Sequence, residues 1–246
     1  DPAARTFVLR TRHTTYQMQL DALGHLLHLY YGRAIGEGDL MSLYPPADHG
    51  FSPDYYPYRR QRGISPDVLP QEYTAYNVGV ARDAAGAAGA DFLYQTHSIT
   101  PGKYALDGLP SAHDEDKEAE TLAIRLKDPV NGLELTLFYG VFAEQDVITR
   151  AARLTNGSDG EMRLEKAASA CLELLDAIQT VSSTRGASSH HHNPFVILAD
   201  HGADEDHGLC YGVMPVYSGS HRTDVEVDQN GLVRLVTGIQ DLGFGW

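Results

Sequence analysis

Apolar and polar residues alternate with a period of two along much of this 246-residue chain. The clearest runs are Thr15-Tyr16-Gln17-Met18-Gln19-Leu20, Thr121-Leu122-Ala123-Ile124-Arg125-Leu126 and Leu133-Glu134-Leu135-Thr136-Leu137. Successive side chains of an extended strand point to opposite faces, so each run predicts a half-buried strand, apolar on one side and polar on the other. Further runs at 24–31, 92–99, 147–154, 162–174, 195–199, 209–217 and 233–239 read as strands too. Asn131-Gly132, Asn156-Gly157 and Asn230-Gly231 each fall between such runs. That dipeptide accepts the positive φ angles of tight hairpins. No convincing long amphipathic helix interrupts the pattern. Roughly a dozen antiparallel strands predict an all-β fold with few or no helices, and a large sandwich is the way to bury that many one-sided strands.

Two stretches break the alternation. From 36 to 70 the prolines Pro45, Pro46, Pro53, Pro57, Pro66 and Pro70 exclude a regular ladder. A connection of ~35 residues exceeds the usual loop, and such loops are often functional. It is also aromatic: Tyr44, Phe51, Tyr55, Tyr56 and Tyr58 lie in it, Tyr73 and Tyr76 just beyond, with Asp48 and Asp54 among them. Rings that stack on sugar C–H surfaces beside carboxylates that accept from hydroxyls fit a carbohydrate-binding module, and rings that pack the loop onto the sandwich fit equally. The second break, 84–89, is an Ala/Gly run that reads as a flexible hairpin tip.

Composition narrows the partners. With 19 basic and 33 acidic residues the formal net charge is −14. That charge repels a phosphate backbone and an anionic bilayer, which argues against nucleic acid and membrane. The cluster Arg59-Arg60-Gln61-Arg62 is the one basic patch in view. No apolar run reaches the ~20 residues of a membrane span and no signal-peptide core stands at the N-terminus, so a cytoplasmic location is expected. Cys171 and Cys210 sit in apolar strand-like settings and read as two buried thiols rather than a disulfide framework.

Candidate chemistry is sparse. In the run His190-His191-His192 adjacent side chains point to opposite faces of an extended chain, so at most two converge, and no metal site is expected. Asp114, Glu115, Asp116, Glu118 and Glu120 supply carboxylates for acid and base work but read as a solvated acidic loop. Gly102-Lys103 lacks the rest of a phosphate loop. A His97–Glu120 pair in a concave face would suit a mutarotase or epimerase. No cofactor motif is present.

The chain resembles the N-terminal β-supersandwich of glycoside hydrolase family 36 α-galactosidases. The resemblance rests on Thr15-Tyr16-Gln17-Met18, "GHLLHLYYG" (24–32), "FSPD" (51–54), "QEY" (71–73), "THSITPGK" (96–103), "GLPSA" (108–112), "EAETLAIRLKD" (118–128), "VITRAARLTN" (147–156), "RGASSHHHNPF" (185–195) and "YSG" (217–219). It implies that residues 1–246 form one antiparallel supersandwich of the galactose mutarotase-like kind. It also implies a retaining hydrolase acting on terminal α-galactosyl residues of raffinose- and melibiose-type oligosaccharides. The two catalytic carboxylates would lie on a (β/α)₈ barrel that follows and that this chain does not contain. No catalytic residue and no cofactor is therefore expected here. By the same resemblance, members are tetramers in which the loop 47–53 reaches a neighbour's barrel mouth, and Asp48 is the sugar-contacting residue. Relative to the family pattern, segments are missing between Leu174 and Ile178 and between Gly79 and Ala90. The rival readings are a stand-alone carbohydrate-binding module and the mutarotase.

Overall fold

A computed structural model describes residues 5–36, 38, 40, 71–73, 79–83, 86, 90–115, 117–175, 179–183, 193–200, 202–204, 206–217, 219–227 and 232–239. Among these residues the regular structure is entirely strand. In chain order the strands are β1 (Thr6–Arg10), β2 (Thr14–Leu20), β3 (Leu26–Arg33), β4 (Gly79–Asp83), β5 (Leu93–Pro101), β6 (Glu120–Lys127) and β7 (Leu133–Phe142). There follow β8 (Val147–Asn156), β9 (Met162–Leu175), β10 (Gln179–Ser183), β11 (Val196–Ala199), β12 (Cys210–Val213), β13 (His221–Val227) and β14 (Leu232–Ile239).

The strands form four sheets, ordered β1-β2-β3, β5-β6-β7-β8, β10-β13-β14-β9-β4 and β11-β12. Every pairing is antiparallel. The alternation in β7 is carried into space as read: Leu133, Leu135, Leu137 and Tyr139 are buried, and Glu134, Thr136 and Phe138 are half-buried on the other face. One core joins all the sheets. Met18 and Leu20 of β2, Ile124 of β6, Leu137 of β7 and Leu235 of β14 belong to it, and Val196 and Tyr211 of the small sheet pack against it.

The structure departs from the sequence-based expectation in three places. β2 is not half-buried: Thr15 and Gln17 are covered as fully as Tyr16 and Met18. The cover is the chain leaving β3, whose Ile35 N–H donates to Thr15 Oγ1 (3.1 Å) and whose Gly38 carbonyl accepts from Gln17 Nε2 (2.9 Å). Polar residues facing backbone satisfy it, which is why alternation survives in a strand buried on both sides.

Asn156-Gly157 is not a hairpin either, because β8 and β9 lie in different sheets. The 84–89 run likewise lies between β4 and β5, which do not pair. Asn131-Gly132 behaves as expected, closing β6 onto β7 with Gly132 at φ 75°. Asn230-Gly231 lies outside the described residues, although the flanking β13 and β14 do pair.

Candidate functional site

Five residues from separate parts of the chain meet at one buried carboxylate. Glu72 follows Gln71, whose backbone bridges Leu27 of β3, and the Glu72 N–H donates to the Leu26 carbonyl (2.9 Å). Tyr16 comes from β2 and His28 from β3. Tyr139 of β7 and Arg150 of β8 face one another as cross-strand partners. Glu72 itself has no exposed surface.

Both carboxylate oxygens are saturated. Oε1 accepts from Tyr16 Oη (2.7 Å) and from His28 Nδ1 (2.8 Å). Oε2 accepts from Tyr139 Oη (2.7 Å) and pairs with Arg150 Nη2 (2.9 Å). The Arg150 guanidinium also donates to the Glu72 backbone carbonyl. Rings wall the pair in: Tyr16 meets His28 edge-on at 4.9 Å, and Arg150 lies 5.4 Å from the Tyr139 ring centre.

Burial alone would raise the Glu72 carboxyl. The Arg150 charge and the hydrogen bonds from His28 and Tyr16 outweigh it and hold the group at about 2. Burial, joined by the Glu72 charge, pushes the Tyr16 phenol well up, so it remains a donor. A carboxylate with no solvent contact and every lone pair engaged cannot act as general base or nucleophile. What it can do is fix position.

The position it fixes is the base of the long irregular stretch. On the departing side, Ala34 N–H donates to the His13 carbonyl (2.7 Å) and Gln17 holds Gly38. On the returning side Gln71, Glu72 and Tyr73 are all buried, the last against Phe92 at 5.9 Å. Both ends are thus pinned to the same three-stranded sheet. Asp48 lies outside the described residues, as do the aromatic rings of 44–58, the Arg59–Arg62 cluster and His190–His192.

A second buried charge centre stands at the start of β3. His25 Nδ1 lies 2.8 Å from Asp21 Oδ2 and Nε2 lies 2.8 Å from Asp91 Oδ1. Burial opposes a charge on the ring, but the two carboxylates win and raise it to about 9. Asp21 Oδ1 also accepts the backbone N–H groups of Leu23, Gly24 and His25. Asp91 N–H donates to Asp128 Oδ2 (2.6 Å), and Asp128 Oδ1 caps the β6–β7 turn at Val130 and Asn131.

Other sequence candidates resolve differently. Asp114 is a loop organiser, accepting from the backbone of Lys103 and Glu118 (3.0 Å each), while Glu115, Glu118 and Glu120 are exposed. Lys103 Nζ bonds the Tyr104 carbonyl and Ser111 Oγ within that loop. His97 does not converge with Glu120: it pairs with Ile124, four residues along β6, and its Nδ1 bonds Tyr94 Oη (2.7 Å). That spacing is about 13 Å, too far for one site. Tyr73 is core rather than sugar platform. Cys210 is exposed, which corrects its assignment as a buried thiol; its alternation in β12 puts it on the outer face.

Glu72, Tyr16, His28 and Arg150 stood in the sequence inside the quoted blocks, yet nothing in the local pattern singled them out. The signals were a carboxylate directly after a proline-rich stretch, and Tyr and Arg at buried positions of otherwise amphipathic strands.

Known proteins share this architecture. The sequence profile of the glycosyl hydrolase family 36 N-terminal domain matches residues 24–178 and 172–246. Its two stretches meet where a segment was expected to be missing. The bifunctional alpha-galactosidase/sucrose kinase AgaSK of Mediterraneibacter gnavus is 40% identical over 279 residues, covering 100% of this chain and 30% of the relative. Alpha-galactosidase AgaA of Geobacillus stearothermophilus is 36% identical, over 100% of this chain and 38% of its own length. The crystal structure of AgaA with raffinose superposes with a TM-score of 0.91 at 36% identity, covering 98% of this chain and 38% of that one. The galactosidase domain of AgaSK gives 0.94 at 38% identity, with 100% and 38% covered. The chain therefore spans well under half the length of these relatives, and it belongs to the glycosyl hydrolase family 36 N-terminal domain family.

Proposed function

We propose that this chain is the non-catalytic N-terminal β-supersandwich of a retaining α-galactosidase that removes terminal α-galactosyl residues from raffinose-type oligosaccharides. A (β/α)₈ barrel follows it in the intact protein and carries the nucleophile and the acid/base. The observation that carries the reading is end-to-end alignment of this chain with 30–38% of proteins named as alpha-galactosidases. The raffinose complex of AgaA supports the substrate class.

Within the intact enzyme the domain seats the loop of residues 39–70. Its two ends are clamped by Gln17 and by Glu72 with Arg150. Asp48 on that loop reaches the barrel mouth of a neighbouring subunit in a tetramer and accepts from galactose hydroxyls. Quaternary structure then shapes specificity.

The intact protein should hydrolyse p-nitrophenyl α-galactoside and residues 1–246 alone should not. Turnover by residues 1–246, abolished by changing one of their own carboxylates, would overturn the reading. Asp48→Ala in the intact protein should raise KM for raffinose roughly tenfold or more, the loss of a charge-assisted hydrogen bond, with a smaller change in kcat. An unchanged KM removes the loop-lending role alone.

A further inference from the structure

The β11–β12 hairpin is apolar on both faces. Its inner side chains, Val196, Leu198, Tyr211 and Val213, pack on the core. Its outer positions are Ile197, Ala199, Cys210 and Gly212, all exposed, with Ile197 opposite Gly212 and Ala199 opposite Cys210. Phe195 and Met214 extend the strip at one end, and the Phe195 ring lies so close to Gly212 that a Cβ there would come within 3.3 Å of it. Phe195, Ile197, Met214 and Val216 are between 49% and 63% exposed. Five of the ten large apolar side chains exposed among the described residues fall between 195 and 217, and the four at 99, 109, 130 and 147 are scattered through the sequence. Single exposed apolar residues are ordinary, but a contiguous strip marks a contact surface. Apolar residues on both faces are the pattern of a strand covered on both sides.

We propose that the outer face of this hairpin is the docking surface for the polypeptide that follows the domain in the same chain of the intact protein. The inference rests on the reading that such a polypeptide follows. Three observations favour that occupant. β14 ends at Ile239, itself exposed and paired with His221. His221 is seven residues beyond Met214, so the chain leaves β14 within about 30 Å of the strip. The relatives that match end to end are more than twice as long as this chain's share of them. A second copy is disfavoured at this face by local charge: Asp200, Asp204 and Asp206 in the loop of the hairpin would approach their counterparts. A segment in the same chain starts at a millimolar-scale effective concentration and needs no such approach between copies.

The test uses the intact protein with Phe195→p-benzoylphenylalanine, prepared as a mixture of ¹⁵N-labelled and unlabelled copies. Irradiation should crosslink position 195 to a peptide beyond residue 246 of the same isotopic chain. A crosslink between isotopically different chains, or to residues 1–246, overturns the proposal. Cys210 provides an independent readout. In the intact protein its alkylation, followed on its own peptide by mass spectrometry, should be slow, and Ile197→Asp should speed it on the order of tenfold by uncovering the face. Full-rate labelling of Cys210 in the folded intact protein also overturns it. Hydrolysis of p-nitrophenyl α-galactoside is measured on the same preparations. Activity without the crosslink defeats the docking surface alone, and the crosslink without activity defeats the enzymatic reading alone.

Discussion

His25 and His28 are three residues apart, and both are fully buried, yet they serve opposite charge centres. His25 bridges Asp21 and Asp91, and the ring is the cation of its cluster. His28 meets a carboxylate that Arg150 also reaches, so its Nδ1, 2.8 Å from Glu72 Oε1, shares that anion with a guanidinium. The difference lies in what else reaches the anion. At the head of β3 two carboxylates, Asp21 and Asp91, flank the ring. In the centre of the sandwich β8 brings a guanidinium. One cluster locks a turn to the starts of β3 and β5, and the other locks a returning loop to four strands, β2, β3, β7 and β8.

The largest break should come at the central cluster. Glu72→Ala strands the Arg150 charge in the core and should cost about 3–5 kcal/mol of unfolding free energy, read from urea denaturation. The double variant Glu72→Gln/Arg150→Met should recover part of that loss, since a buried pair exchanged for neutral groups is far less costly than a buried charge left alone. Failure to recover would mean that geometry, not charge balance, dominates there.

Next comes His25→Gln, which removes the cation that Asp21 and Asp91 share and should cost about 2–3 kcal/mol at neutral pH. The two clusters also separate by pH. His25 has a raised folded pKa, so its contribution is complete below the unfolded value near 6.5 and is lost as pH climbs through about 9. Glu72 has a lowered folded pKa, so its contribution is present above the unfolded value near 4.3 and is lost as pH falls through about 2. In urea midpoints measured across pH, His25→Gln should flatten the alkaline side and also part of the acid side, because the ring holds the Asp21 carboxyl low, whereas Glu72→Gln should flatten the acid side alone. Flattening of the alkaline side by Glu72→Gln would show that the clusters are coupled.

The smallest effect should be Gln17→Ala, which frees the departing end of the loop by removing one hydrogen bond to Gly38, at about 1 kcal/mol. Faster amide exchange at residues 34–36 with little change in global stability would place it in the hinge and not the core.

Most of the strands were legible because period-two alternation reports one-sided burial directly. Leu133 to Leu137 and Leu122 to Leu126 are examples that folding left unaltered. β1, β4, β10 and β13 were not read as strands; in β13 His-Arg-Thr-Asp-Val-Glu-Val the buried positions are His221, Thr223 and Val225, so polar residues hide the period. The sheet change after Asn156 left no local trace, since Asn-Gly specifies a backbone turn and not which sheet receives the next strand. The Glu72 cluster was unreadable for a related reason. Its members are 16, 28, 72, 139 and 150 in sequence, and only a three-dimensional convergence turns an ordinary Glu, Arg and two Tyr into a charge-balanced seat.

β9 sits between β14 and β4 in the five-stranded sheet. Its neighbours therefore come from roughly eighty residues before it and sixty after it. As the nascent protein leaves the ribosome, β9 must wait with one edge open until residue 239 has emerged, some seconds at ordinary synthesis rates. Shortening the chain ahead of β14 should yield insoluble material rather than a smaller soluble domain, because the bared edge of its longest strand would seek pairing elsewhere.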